Sequence, residues 1–378
     1  MRTSFQTVLL LVAVTLAFCA MWIVVPAPNL TLLAFGVGAP EVSPFLLVAS
    51  LVTMLVAWRG RRGTLARSTL VLSVAAFALS AWPLAHLPFT IREFDQQLPP
   101  SAAVTRSAFH VRDFFSGIAA GDVRVVRDVP FAAPANQPLR LDIYRPMAAG
   151  RYPVLVQIYG GAWQRGQPGD NAAFAQYFAG RGYVVFALDY RKAPQWKWPA
   201  QRDDVRAGLS WVREHAGEYD ADASRMALIG RSAGAQLALI AAYQREPGVA
   251  GVVSYYGPAD LAEGWRTPPR PDPLNVRSVL EAYLGGTPDV VADQYRDASP
   301  TSYVLSTLPP TLLIYGARDH IVEARFGRDL HQRLQSAGAS SILLEIPWAE
   351  HAFDALPAGV SGQLALLYTD RFLSRIFR

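Results

Sequence analysis

The stretch Leu228-Ile229-Gly230-Arg231-Ser232-Ala233-Gly234 constrains this chain more than any other. Residues 226–229 are apolar enough for a buried strand, and residues 233–243, rich in Ala, Leu and Gln, suit a helix that follows at once. A serine at such a corner holds its hydroxyl above the sheet edge. The flanking glycines are required because a Cβ there would collide with the neighbouring strand or helix. The helix N-terminus also turns backbone N–H groups and a positive dipole end toward the place where an oxyanion would form.

A serine hydroxyl is a weak nucleophile at neutral pH. It needs a base to take its proton and a third group to orient that base. Downstream, residues 311–315 read as a strand that leads into Gly316-Ala317-Arg318-Asp319. Residues 341–346 read as a strand followed by Pro347-Trp348-Ala349-Glu350-His351. The order Ser232, Asp319, His351 is the one a serine-elbow architecture calls for. His320 and His331 are rivals for the base, Glu350 and Asp354 for the orienting acid, and Asp319 has an alternative reading as a helix cap. For the oxyanion, Gly160 and Gly161 lie just past the buried run 154–159. Consecutive glycines there let two N–H groups face a carbonyl oxygen, with the N–H of Ala233 as the third donor. Tyr159, Trp163 and Trp196 are candidate substrate contacts on the same edge, and plain loop packing is the competing reading.

From residue 123 onward strands (123–129, 139–144, 154–159, 183–188, the elbow strand, 249–255, 311–315, 341–346) alternate with helices (171–181, 203–215, 233–243, 322–337, 362–376). This alternation predicts an α/β fold with a mostly parallel sheet covered on both faces and its site at the carboxyl ends of the strands. Residues 257–301, rich in Pro, Asp and Gly, are expected to form a small cap, with Trp265 and Tyr283 as candidate lining residues.

The first 87 residues differ in kind. Apolar blocks at residues 7–25, 42–58 and 68–87 are each near the length that spans a bilayer. A signal peptide with Leu16-Ala17-Phe18-Cys19 as an imperfect lipidation box is the alternative for the first block, but its apolar run continues past Cys19. The basic loop 59–67 and Arg2 predict a cytoplasmic N-terminus and, after three spans, a domain on the outer side of the membrane. These residues hold five arginines and one acid, Glu41, and so account for +4 of the formal net charge of +5. The basic excess is therefore a topology signal, and no nucleic-acid partner is expected. Cys19 is the single cysteine, so no disulfide is available, and no metal-ligand spacing is present. The expected organisation is an anchor at residues 1–87, a connector at 88–122 and a catalytic domain at 123–378; Asp95, Gln96, Gln97 and the Pro99-Pro100 pair argue for an irregular start to the connector, with a short helix near 107–118.

Several motifs together resemble the α/β-hydrolase superfamily, nearest to bacterial esterases of the hormone-sensitive-lipase-like and BD-FAE groups. They are Tyr159-Gly160-Gly161-Ala162-Trp163, Tyr190-Arg191-Lys192-Ala193-Pro194, Gly230-Arg231-Ser232-Ala233-Gly234, Gly316 to Asp319 with Val322, and His351. The resemblance implies an α/β-hydrolase fold and hydrolysis of a small-molecule carboxylic ester without a cofactor. It implies Ser232 as nucleophile, His351 as base, Asp319 as orienter, and Gly160, Gly161 and Ala233 around the oxyanion. Tyr159 departs from the histidine these groups carry there, which leaves the brace of the glycine loop to be explained. Amide or peptide cleavage by the same residues and a catalytically silent binding module remain the alternatives.

Overall fold

A computed structural model describes residues 2–59, 63–100, 102 and 104–377. Arg61 and Arg62 of the basic loop lie outside the described residues. The N-terminal part forms four helices: α1 (Arg2–Met21), α2 (Leu30–Glu41), α3 (Ser43–Arg59) and α4 (Thr64–Gln97). Two of them, α1 and α4, are long and apolar enough to cross a membrane; α2 and α3, bent by 80° at their junction, make a third crossing if counted together. Three of the helices fall on the apolar blocks of the sequence. The fourth, α2, occupies the stretch between the first two blocks. Asn29 caps it by accepting the amide of Leu32 at 3.0 Å.

The connector expected to start irregularly at residue 88 begins as helix, because α4 runs on to Gln97. Its polar residues are not there to break the helix. The carboxylate of Asp95 is bonded to Arg371 at 2.5 Å and to the Tyr368 hydroxyl at 2.7 Å. The Phe94 ring packs edge-on against Tyr368. A short helix, α5 (Val111–Ser116), then leads into the sheet.

The strands are β1 (Val123–Ala132), β2 (Leu139–Pro146), β3 (Tyr152–Ile158), β4 (Val184–Leu188), β5 (Ala221–Arg231), β6 (Val249–Tyr255), β7 (Thr311–Gly316) and β8 (Ser341–Ile346). They form one sheet in the order β1-β2-β4-β3-β5-β6-β7-β8. Among the described residues only the β1–β2 and β2–β4 pairs are antiparallel. The interior strands β4 and β7 are buried along their whole length, as two-sided coverage requires. The covering helices are α6 (Ala172–Ala179), α7 (Ala200–His215), α8 (Ala233–Tyr243), α12 (Ala324–Ser336) and α13 (Val360–Ile376). Between β6 and β7, the small helices α9 (Leu261–Arg266), α10 (Val276–Leu284) and α11 (Ala292–Asp297) fill the segment expected to be a cap. This is an α/β-hydrolase fold.

Helix α13 is buried without interruption from Val360 to Leu373. A helix covering an ordinary sheet would leave one face wet. Here one side of α13 lies on β6 and β7 and another meets α2. Glu41, fully buried at the end of α2, accepts the amides of Ser361 at 2.8 Å and Gly362 at 3.3 Å. It thereby supplies acceptors for amides that the first turn of α13 leaves unpaired. The N-terminal helices and the sheet domain are thus joined through one shared helix.

Candidate active site

Register brings the candidate residues together. Ile158 of β3 pairs with Gly230 of β5, so the glycines after β3 and the serine after β5 emerge side by side. Gly316 of β7 pairs with Ile346 of β8, which places the loops carrying Asp319 and His351 next to each other. Ser232 adopts φ 50° and ψ −120°, a strained conformation for a non-glycine residue. The corner is tight enough that a Cβ on Gly230 would lie 2.2 Å from the Gly234 carbonyl oxygen. One on Gly234 would lie 2.3 Å from the carbonyl oxygens of Ile158 and Tyr159.

Ser232 stands at the cap position of α8, yet its side chain makes no capping bond. Its Oγ lies 3.1 Å from His351 Nε2 instead, and His351 Nδ1 lies 2.7 Å from Asp319 Oδ2. Asp319 is 4% exposed. Burial pushes its carboxyl up, opposed by the attraction and hydrogen bond of His351 and by backbone N–H donors. Its second oxygen accepts the amides of Ile321 at 2.8 Å and Val322 at 2.7 Å, which fixes the carboxylate plane. The capping alternative does not apply, since α12 begins only at Ala324 with Glu323 in the cap position.

The rivals are engaged elsewhere. His320 Nδ1 pairs with Glu350 at 2.5 Å, and His331 shares a hydrogen bond with the Ser341 hydroxyl. Glu350 also accepts the amides of His320 and His351, bracing the loop that carries the imidazole. Asp354 is bonded to Arg231 at 2.5 Å and to the Tyr256 hydroxyl. Arg231 is buried under Phe174 and Tyr255, with ring centroids 4.2 and 4.9 Å from its guanidinium carbon. The Tyr256 ring lies 4.5 Å from the imidazole of His351. The sequence offered no signal for Tyr256, which sits just beyond the end of β6.

Ser232, His351, Gly160 and Gly161 line a cavity of about 410 Å³. Gly160 approaches the serine so closely that a Cβ would stand 3.2 Å from Ser232 Cβ. Ala233 is buried at the start of α8. A second, smaller cavity of about 50 Å³ adjoins Ser232 and is walled by Trp163 and by cap residues such as Leu261, Leu274 and Leu280.

Two of the three candidate substrate contacts lie outside both cavities. Tyr159 is buried beneath the glycine loop. Its hydroxyl donates to Asp189, which also holds Lys192 at 2.5 Å, and its ring stacks on Tyr190 at 4.5 Å. These contacts hold the backbone that leads into Gly160. Trp196 packs against the Arg191 guanidinium, which is tied to the buried Asp204. Trp163 does wall the smaller cavity; its ring stacks on Tyr283 at 4.1 Å and its Nε1 donates to Gln236 at 3.0 Å. Trp265 is turned to Glu281 and Arg277.

Leu30 and Leu33 of α2 line the larger cavity. No feature of the sequence tied these leucines to the serine.

The family model for BD-FAE matches residues 141–334, just over half of the 378 residues. The chain belongs to the BD-FAE family. Among curated relatives of this BD-FAE member, Esterase LipQ of Mycobacterium tuberculosis is 32% identical over 66% of this chain and 62% of the relative. Esterase LipC of the same organism is 32% identical over 60% and 59% respectively. The chain thus spans about three fifths of the length of these relatives. Among solved structures, Est2, an esterase of Thermogutta terrifontis, is 26% identical with a TM-score of 0.54, covering 68% of this chain and 92% of that one. A bacterial heroin esterase is 25% identical with a TM-score of 0.59, covering 78% and 93%.

Proposed function

We propose that this BD-FAE member is a membrane-anchored serine hydrolase that cleaves carboxylic esters through an acyl-enzyme. The hydrogen-bonded chain from Ser232 through His351 to Asp319 carries the reading, and the esterase names of the relatives agree with it. Ser232 Oγ attacks the ester carbonyl while His351 Nε2 takes its proton. Asp319 holds the imidazole in the productive tautomer and steadies the imidazolium that forms. The N–H groups of Gly160, Gly161 and Ala233 stabilise the tetrahedral oxyanion. Collapse of that intermediate breaks the ester C–O bond, and His351 returns its proton to the leaving alcohol. Water, deprotonated by His351, then attacks the acyl-Ser232 carbonyl and releases the acid, restoring the serine.

The proposed topology places the N-terminus in the cytoplasm. Helix α1 crosses outward, α2 lies on the outer side against the hydrolase, α3 returns, the basic loop stays inside, and α4 crosses again. It rests on the arginines between α3 and α4 and on the buried contacts of α2, which keep that helix with the hydrolase domain.

Labelling by a fluorophosphonate probe tests the catalytic reading. The wild type is expected to be labelled and to hydrolyse short p-nitrophenyl esters, while Ser232→Ala does neither. Unchanged turnover by that variant would falsify the assignment.

A further inference from the structure

The catalytic cavity is walled by the anchor. Leu33 of α2 is nearly buried at 9% exposure and Leu30, at the rim, is 41% exposed; both line the cavity that holds Ser232. Helix α1 ends at Met21. Three residues later, the carbonyl of Val24 accepts a hydrogen bond from the guanidinium of Arg318, the residue before Asp319. The loop that carries the orienting acid is therefore fastened close to the end of a candidate span.

Exposed apolar side chains lie on both α1 and α2. Phe18 of α1 packs edge-on against Phe35 of α2 at 5.5 Å, and Phe18, Val25, Leu30 and Phe35 all remain exposed. In water such a run of exposed apolar side chains is unfavourable; against lipid it is not. The same cavity also has polar lining, from Arg165 and Asn171. One chamber therefore offers apolar side chains of α2, a helix that also packs against α1, together with groups suited to a polar moiety.

Resting on the ester-hydrolase reading, we propose that the substrate is a bilayer-resident amphiphilic ester whose hydrocarbon chain lies along Leu30 and Leu33 of α2. The anchor then supplies part of the chain-binding site in addition to holding the enzyme at the membrane. A chain that passes from the hydrocarbon region to this wall exchanges contact with lipid for contact with Leu30 and Leu33. Each methylene seated there is expected to raise kcat/KM by on the order of fourfold, the equivalent of about 0.8 kcal/mol, until the wall is covered.

The test uses the full chain reconstituted in phosphatidylcholine vesicles and p-nitrophenyl esters from acetate to decanoate. The ratio of kcat/KM for decanoate over acetate is expected to be well above one. It should fall at least tenfold in Leu33→Ser and in the rim variant Leu30→Asp, each checked for folding by fluorophosphonate labelling. At constant bulk decanoate, added vesicle lipid should slow turnover, because the ester is diluted in the bilayer plane. An unchanged ratio in the labelled variants, a wild-type preference for acetate, or a rate indifferent to added lipid would overturn the proposal while leaving the ester reading intact. A wild type that is neither labelled nor active on any ester overturns that reading, and this proposal with it.

Discussion

The carboxylate of Glu41, the last residue of α2, accepts the backbone amide of Ser361, the second residue of α13, at 2.8 Å. An acid from the N-terminal module thus does for the closing helix of the hydrolase domain what a local cap would otherwise do. Its removal leaves two buried amides without partners and a hole beside Gly359, a position where the Glu41 side chain leaves no room for a Cβ. Glu41→Ala is expected to lower stability by about 1–3 kcal/mol, read as a drop in Tm in detergent solution. An unchanged Tm would show that the first turn of α13 finds other acceptors.

Asp319→Asn tests the orienting role separately from the nucleophile. The amide can still fill the space, but it can present an N–H to Nδ1 and favour the wrong tautomer. A fall in kcat of roughly 10⁴-fold is expected, with KM little changed, by analogy with the serine-protease case. A loss of less than about tenfold would mean that another acid, such as Glu350, orients His351.

Tyr159→Phe probes the brace beneath the glycine loop. It deletes the hydroxyl that donates to Asp189 and leaves that carboxylate to Lys192 and the Tyr190 amide. A stability loss of about 1 kcal/mol is expected, with kcat falling more than KM rises, since the loop carries Gly160 and Gly161. Equal effects on short and bulky esters are expected as well; a change confined to bulky esters would point to direct substrate contact.

His320 supplies a pH-dependent stability term. The hydrogen bond to Glu350 is the largest cause raising its pKa above the ordinary 6.5, against the opposing effects of burial and of Arg318. A histidine that holds its proton more tightly when folded contributes stability that is complete below the unfolded value. That stability is lost as pH rises through the folded one. Wild-type Tm should therefore fall over the range just above pH 6.5 relative to His320→Gln, in which the difference is absent. Parallel Tm curves for the two proteins would refute the linkage.

The parts of the site that could be read from the sequence are those fixed within a few residues of a strand end. Gly230 and Gly234 announce a close approach, and an acid and a histidine following successive strands fall at one edge whatever the details of packing. The aromatic residues were less legible. Tyr159 and Trp196 carry the same chemistry whether they face a substrate or a neighbour, and only tertiary packing turned them toward Asp189 and Arg191. Helix α2 was illegible for a related reason. Its apolar residues, broken by Gly36, Gly38 and Pro40, read as a gap between two spans, and nothing local shows that Leu33 lines the same cavity as Ser232. Asp95 misled in the opposite sense: a charge that suggests a chain break is the group that welds α4 to Arg371.

That weld has a mechanical consequence. Helix α4 has 34 residues, about 50 Å of rise, of which a hydrocarbon layer would take up about 30 Å in the proposed anchoring. The remaining turns end in the Asp95–Arg371 pair, which ties the helix to the domain where a slack linker would let it tumble. With Glu41 and Arg318 as further fixings, the mouth above Ser232 would have a set height and heading over the lipid in the proposed anchoring. Under the proposed anchoring and substrate, encounter becomes a search in two dimensions, in which molecules drifting laterally in the leaflet meet a stationary opening.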